Sequence, residues 1–268
     1  MSARRLWDEL LGRRMTRRLK DLLLPDLVWN QEIYGKLLQR YVSKSVRWLD
    51  AGCGWRILGE DLENIEDSLA AAAGMVVGTD LKFGALAKHR NIACRVCATL
   101  DALPFPDQAF DLVTCNMVVE HLADPKTSLA EMVRLVSPNG RLVIHTPNLL
   151  NCLVFANHIV GKILPRKIVV RLVQASDKRG ESDIFPTYYR ANSVTKLRRL
   201  FEEFDLREES TRILTAPQPY FRFFAPLAFF ELVWMRATMS WVPGFGATIL
   251  IASRVPKEAT APANSVAA

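Results

Sequence analysis

From Val46 onward, short apolar runs alternate with stretches of helical periodicity. That alternation constrains the chain more than any other feature, because it is the pattern of successive βα units on a mainly parallel sheet. Val46–Asp50, Met75–Thr79, Ile92–Cys97, Phe110–Cys115 and Arg141–Thr146 read as five strands. Leu58–Ala73 carries Ala and Leu at helical spacing, and Thr127–Val136 is a second helical stretch stopped by Pro138 and Gly140. After a further helix at Val194–Phe204, residues 204–214 and 246–254 read as strands six and seven.

At 268 residues, half of them apolar and 24% charged, the chain has the composition of a folded globular protein. Its five cysteines, an odd number, do not suggest a disulfide framework. Cys94 and Cys97 form one CxxC with no second pair, half of a structural zinc site, and read instead as packed strand residues. The N-terminus has no uninterrupted apolar run followed by a small-residue cleavage site, so no secretory signal is read and the cytoplasm is the expected compartment.

Two segments interrupt the alternation. Residues 147–190 follow strand five, and residues 217–243, unusually aromatic, join strands six and seven. Residues 1–45 form a basic amphipathic segment in which Leu10, Leu11, Met15, Leu19 and Leu22 recur at helical spacing among Arg13, Arg14, Arg17, Arg18 and Lys20. The expected organisation is therefore this segment, a domain over 46–255 carrying both insertions, and a disordered tail at 256–268.

The chemistry begins at VRWLDAGCGWR, where a strand runs into Asp50, Gly52 and Gly54 at the mouth of a helix. Glycines there let backbone approach a ligand, and a helix start offers free N–H groups. The next strand ends in Asp80, where a carboxylate can accept hydrogen bonds from a ribose diol. Either motif alone fits a plain strand-to-helix turn; together they favour an adenosine-containing cofactor.

The third element is LDALPFPDQAFDLVTCNMVVEHLADP, followed by SPNGRLVIHTPN. In order and spacing, the motifs hDxGCG, LPFxDxxFDLV, EHLxDP and SPxGxLxIxTPN over about residues 46–148 resemble the class I S-adenosylmethionine-dependent methyltransferases. The resemblance implies an α/β, Rossmann-like, seven-stranded, mainly parallel sheet with an antiparallel last strand and helices on both faces. It implies S-adenosylmethionine as cofactor, with Asp50, Gly52 and Gly54 along its methionine part, Asp80 on the ribose, Leu81 against the adenine and Asn116 near the amino-acid end. Thr99, followed by Leu100, stands where the family often has an acid for the adenine amine, and Arg56 stands where it commonly has a third glycine.

Methyl transfer from a sulfonium gains much of its rate from alignment, and a neutral histidine can take the proton of an oxygen nucleophile. His121 and His145, at the carboxyl ends of strands four and five, are the candidate bases; a helix cap and a buried strand residue are the plainer alternatives. His89, in AKHR, reads as solvated. The same region resembles the ubiquinone-pathway O-methyltransferases, where it can supply metal ligands; here Met117 replaces an acid, so no metal is expected. Tyr188 and Tyr189 are candidates for closing over the acceptor, or for packing as an aromatic pair at a helix entry.

Both insertions leave the carboxyl ends of parallel strands, where ligands bind, so they are expected to roof the acceptor site. The aromatic content there favours a lipophilic or lipid-linked acceptor. The TPN element also resembles methyltransferases acting on sugar or glycan intermediates. A cofactor-binding, inactive, membrane-associated interaction protein is the alternative from another class. The net charge of +7 and the basic N-terminal segment suit an anionic membrane surface at the periphery, with an ordinary helix docked on the domain and its arginines in water as the plainer alternative, and no nucleic-acid module is recognisable.

Overall fold

A computed structural model describes residues 11–59, 62–163, 185–216 and 224–257. The expectations for residues 1–10, for the basic stretch within 164–184, for residues 217–223 and for the tail beyond 257 lie outside them. In chain order the described elements are α1 (Arg13–Leu23), α2 (Asn30–Tyr41), β1 (Arg47–Ala51), α3 (Glu63–Ala72), β2 (Met75–Asp80), α4 (Phe83–Leu86), β3 (Cys94–Cys97), β4 (Phe110–Asn116), α5 (Pro125–Leu135), β5 (Val136–Pro147), α6 (Cys152–Ile163), α7 (Val194–Glu203), β6 (Arg207–Leu214), α8 (Ala225–Ser240) and β7 (Thr248–Arg254). Short 3₁₀ turns occupy Val119–His121 and Pro243–Phe245.

The strands form one seven-stranded sheet in the order β3-β2-β1-β4-β5-β7-β6. The first five pair in parallel. β7 runs against β5: the Val255 N–H donates to Gly140 O at 3.0 Å at one end, and the Asn148 N–H to Ala247 O at 2.8 Å at the other. In β1 the four residues Trp48–Ala51 are all buried, as expected of a central parallel strand covered on both faces.

The chain divides into two compact units, one of Gly35–Thr146, Pro186–Arg212 and Leu250–Ala268, the other of Met1–Tyr34, Pro147–Phe185 and Ile213–Ile249. The first carries the glycine turn, Asp80 and the candidate histidines. In it, α5 begins because the Asp124 carboxylate accepts the N–H groups of Lys126 and Thr127, with Pro125 in the first turn. Ser193 caps α7 in the same way through the Lys196 N–H.

The second unit holds the N-terminal helix α1 together with α6 and α8 from the two insertions. Leu24, Leu232 and Met235 form its buried cluster, with Leu19, Leu23, Leu27 and Ala216 packed against it. Asn148, of the TPN motif, is buried and donates to the carbonyls of Gly244 and Gly246 at 3.0 and 2.8 Å. Its role here is to pin the turn before β7.

Several boundaries differ from the sequence expectation, each for a local reason. The helix expected from Leu58 starts at Glu63, since the Leu58 N–H donates to the Glu66 carboxylate. The third strand is shorter than Ile92–Cys97 because the Asn91 and Ile92 N–H groups donate to His89 Nδ1. The fifth strand starts at Val136, not Arg141, through an irregular pairing with β4 in which Asn139 takes a φ of +64°. His89, expected to be solvated, is buried, and burial, reinforced by the nearby Arg95 charge, pushes its pKa down to about 4. Cys94 and Cys97, expected to be packed, are exposed, because β3 is the edge of the sheet.

Candidate active site

Asp50, Asp80 and Asn116 stand at the carboxyl ends of β1, β2 and β4, adjacent strands of the parallel sheet. The loop leaving β1 reverses direction through two residues in the left-handed region, Gly52 at φ +77° and Gly54 at φ +55°. Both angles favour glycine. The Gly52 and Cys53 N–H groups donate to Thr79 O at 2.7 and 2.9 Å, tying the loop to β2. At Gly52 a Cβ would lie 2.5 Å from Val118 Cγ2, whereas at Gly54 it would meet nothing within 4 Å. One glycine makes room for packing; the other borders open space.

Asp80 is bonded to the same turn. Its Oδ2 accepts the Gly54 N–H at 2.9 Å and its Oδ1 accepts the Lys82 N–H at 2.8 Å. A carboxylate offers about four acceptor positions, so two backbone bonds orient it and leave capacity for a diol. Leu81 is 57% exposed, and Phe83, which the sequence did not single out, is 73% exposed. Thr99 is exposed and Leu100 is half-buried.

Asp50 faces inward. It is 1% exposed and accepts from Thr114 Oγ1 at 2.7 Å, while Thr114 Oγ1 accepts from Trp48 Nε1 at 2.8 Å. Burial pushes the Asp50 pKa up to about 7 despite the Thr114 bond. The resemblance sets this residue along the cofactor; its carboxylate here is bonded to Thr114 of β4. Asn116 donates through Nδ2 to Ile57 O at 3.0 Å, which fixes the amide orientation, and its Oδ1 accepts from His145 Nδ1 at 2.9 Å. His145 is fully buried, and burial pushes its pKa down to about 3. It is therefore a neutral ring donating to Asn116, out of reach of an acceptor molecule.

His121 has 28% of its side chain exposed. Its Nδ1 lies 2.8 Å from Pro186 O. A carbonyl only accepts, so Nδ1 carries the proton and Nε2 keeps the lone pair in the neutral ring. Glu120, buried at 4%, has Oε1 3.8 Å from that Nε2. The Glu120 carboxylate accepts from Thr146 Oγ1 at 3.2 Å, and Thr146 Oγ1 accepts from Asn192 Nδ2 at 2.7 Å. The Glu120 carbonyl accepts the N–H groups of Tyr188 and Tyr189. The tyrosines diverge: Tyr189 is buried at φ +52°, and Tyr188 is 40% exposed beneath the Arg190 guanidinium.

The sequence thus missed Glu120 as a partner of His121, and Thr146 and Asn192 behind it. Glu120 and Thr146 are the first residues of the EHLxDP and TPN motifs; nothing marked Asn192. Arg56, where the family has glycine, lies over the Trp55 ring at 4.3 Å and pairs with Glu63 at 3.2 Å. Among the described residues no group of three His, Cys, Asp or Glu side chains is placed to hold a metal ion.

Residues 49–144 match the family described as Methyltransferase domain. The chain is 34% identical over 111 residues to a demethylmenaquinone methyltransferase of Mycobacterium marinum, covering 39% of this chain and 47% of that one. It is 28% identical over 117 residues to a ubiquinone biosynthesis O-methyltransferase of Coxiella burnetii, covering 41% and 47%. The chain thus spans less than half the length of these curated relatives. A crystal structure of a putative methyltransferase from Bacillus halodurans superposes with a TM-score of 0.54 at 16% identity, covering 83% of this chain and 98% of that one, and shares the fold.

Proposed function

We propose that the protein, whose residues 49–144 match the family described as Methyltransferase domain, is a class I S-adenosylmethionine-dependent methyltransferase that moves a methyl group from S-adenosylmethionine to an oxygen of a lipophilic or lipid-linked small molecule. The observation that carries the cofactor reading is the Asp80 carboxylate, held by the Gly54 and Lys82 N–H groups, next to a glycine whose Cβ position is open. The residues present fit the group. Asp80 is oriented by two N–H donors with acceptor positions to spare for ribose hydroxyls, Leu81 offers an exposed apolar side chain for the adenine, and Gly54 leaves the backbone approachable. When bound, S-adenosylmethionine supplies a methyl carbon made electrophilic by its sulfonium.

His121 is the base. Pro186 O holds the tautomer whose Nε2 can take a hydroxyl proton, and the Glu120 carboxylate lies 3.8 Å from that same nitrogen. His145 is a positioning residue that keeps Asn116 turned toward the end of β4. Oxygen is favoured because a hydroxyl is a weak nucleophile until a base takes its proton, which is the task an imidazole with a free Nε2 lone pair suits. The demethylmenaquinone and ubiquinone-biosynthesis relatives support an acceptor of the quinone class.

Calorimetry with S-adenosylhomocysteine tests the cofactor: folded protein that shows no binding removes the enzyme reading. Transfer of label from methyl-tritiated S-adenosylmethionine to hydroxylated aromatics with and without isoprenoid tails tests the acceptor. Equal rates on both sets, or none on either, would remove the lipophilic part.

A further inference from the structure

We propose that the unit carrying α1, α6 and α8 docks on the surface of an anionic lipid bilayer. Sixteen of the twenty-two large apolar side chains exposed among the described residues belong to this unit, although it is the smaller in described residues. In the other unit several of the exposed apolar residues border the glycine turn and the candidate site: Trp55, Leu81, Met117 and Tyr188.

α8 is apolar on both faces. Ala228, Leu232 and Met235 point inward, while Phe229, Phe230 and Val233 lie within one outward arc at 40%, 70% and 47% exposure. Trp241, just past the helix, is 84% exposed. The one acid of the helix, Glu231, is buried, so it does not interrupt that arc; Arg236, one turn beyond Val233, borders it. A face of phenylalanine and valine ending in tryptophan and edged by arginine is suited to the headgroup and acyl boundary.

Charge selects the occupant. α1 packs on α8 through Leu19, Leu23 and Leu24, which leaves Arg14, Arg17 and Arg18 exposed on its outer side. Asp21, the exposed acid on that helix, pairs with Lys20 at 3.4 Å. Exposed arginines on the same unit as the exposed aromatics complement lipid phosphates, whereas the same arginines would repel a second copy of this surface. The sixteen residues of α8 span about 24 Å, short of a hydrocarbon core of about 30 Å, and no helix among the described residues is long and apolar enough to cross a membrane. The helix lies in the interface plane.

The test is co-sedimentation of the full chain with vesicles of phosphatidylcholine alone and of phosphatidylcholine with 30% phosphatidylglycerol, a composition on the order of the anionic content of natural leaflets. The expected result is partition onto the anionic vesicles that weakens with salt. Replacing Arg14, Arg17 and Arg18 by Gln should cost about fivefold each, on the order of 100-fold together. Phe230→Ser with Trp241→Ser should weaken binding at every salt concentration. Because these side chains are exposed, thermal melting and S-adenosylhomocysteine binding should be unchanged in both variants, which separates loss of docking from loss of fold or of cofactor binding. Absence of partition, partition insensitive to both sets of substitutions, or a concentration-dependent dimer abolished by F230S without vesicle binding would each overturn the proposal.

Discussion

Replacing Gly52 by Ala isolates the two constraints on the turn after β1. At φ +77° an L-residue carries left-handed strain of roughly 1–2 kcal/mol. Its Cβ would also lie 2.5 Å from Val118 Cγ2, and overpacking of that kind costs about 1–3 kcal/mol. The sum, about 2–5 kcal/mol, should lower a urea midpoint by about 1–2 M at an m-value of about 2.5 kcal/mol/M. Gly54→Ala, at φ +55° with nothing within 4 Å of the new atom, should carry only the strain, about 1–2 kcal/mol. The order reverses for ligand: the Gly54 variant should lose more affinity for S-adenosylhomocysteine, since its Cβ enters the open space beside Asp80. Adding Val118→Ala to Gly52→Ala should return about 1–3 kcal/mol, read as a coupling in a double-mutant cycle. Equal midpoints for the two alanine variants, or a cycle with no coupling, would refute the assignment of one glycine to packing and the other to the ligand.

Asp80→Asn should weaken S-adenosylhomocysteine binding by about 1.5–3 kcal/mol, roughly 10- to 150-fold by calorimetry, because charge-assisted bonds to the ribose become neutral ones. His121→Gln should lower methyl transfer about 10²–10⁴-fold with cofactor affinity intact, a pattern that a merely structural role would not give. For His89 the folded pKa of about 4 lies below the unfolded 6.5, so the unfolded chain binds the extra proton as pH falls. Its contribution, on the order of 3 kcal/mol, is whole above pH 6.5 and lost by pH 4; His89→Asn should flatten the urea midpoint over that window. Asp50 acts in the opposite sense: its folded pKa of about 7 lies above the unfolded value, so its charge opposes folding as pH rises from 4 to 7. Asp50→Asn should therefore raise the midpoint at pH 8 relative to pH 5, provided the Thr114 bond is kept.

The order of elements was legible because it rests on patterns of short range. Apolar alternation gives strands, Ala and Leu spacing gives helices, and GxG followed by an aspartate at the next strand end places a ligand loop. The boundaries were less legible because side chains distant in sequence decide them: the Glu66 carboxylate takes the Leu58 N–H, and the His89 ring takes those of Asn91 and Ile92. Burial of His89 and exposure of Cys94 and Cys97 follow from where β2 and β3 sit in the sheet, which no local window contains. Of the two candidate bases, one in the turn after β4 and one near the end of β5, packing buries the second against Asn116 and leaves the first partly open beside Glu120.

By itself, then, the sequence determined the succession of strands and helices, the glycine turn, and Asp80 at the end of the next strand, because backbone conformation and side-chain periodicity are properties of neighbouring residues. Tertiary structure alone decided which carboxylate faces inward, which imidazole keeps a lone pair toward the surface, and that α1 shares a unit with both insertions. Those outcomes depend on desolvation and hydrogen-bond partners supplied by residues far apart in the chain.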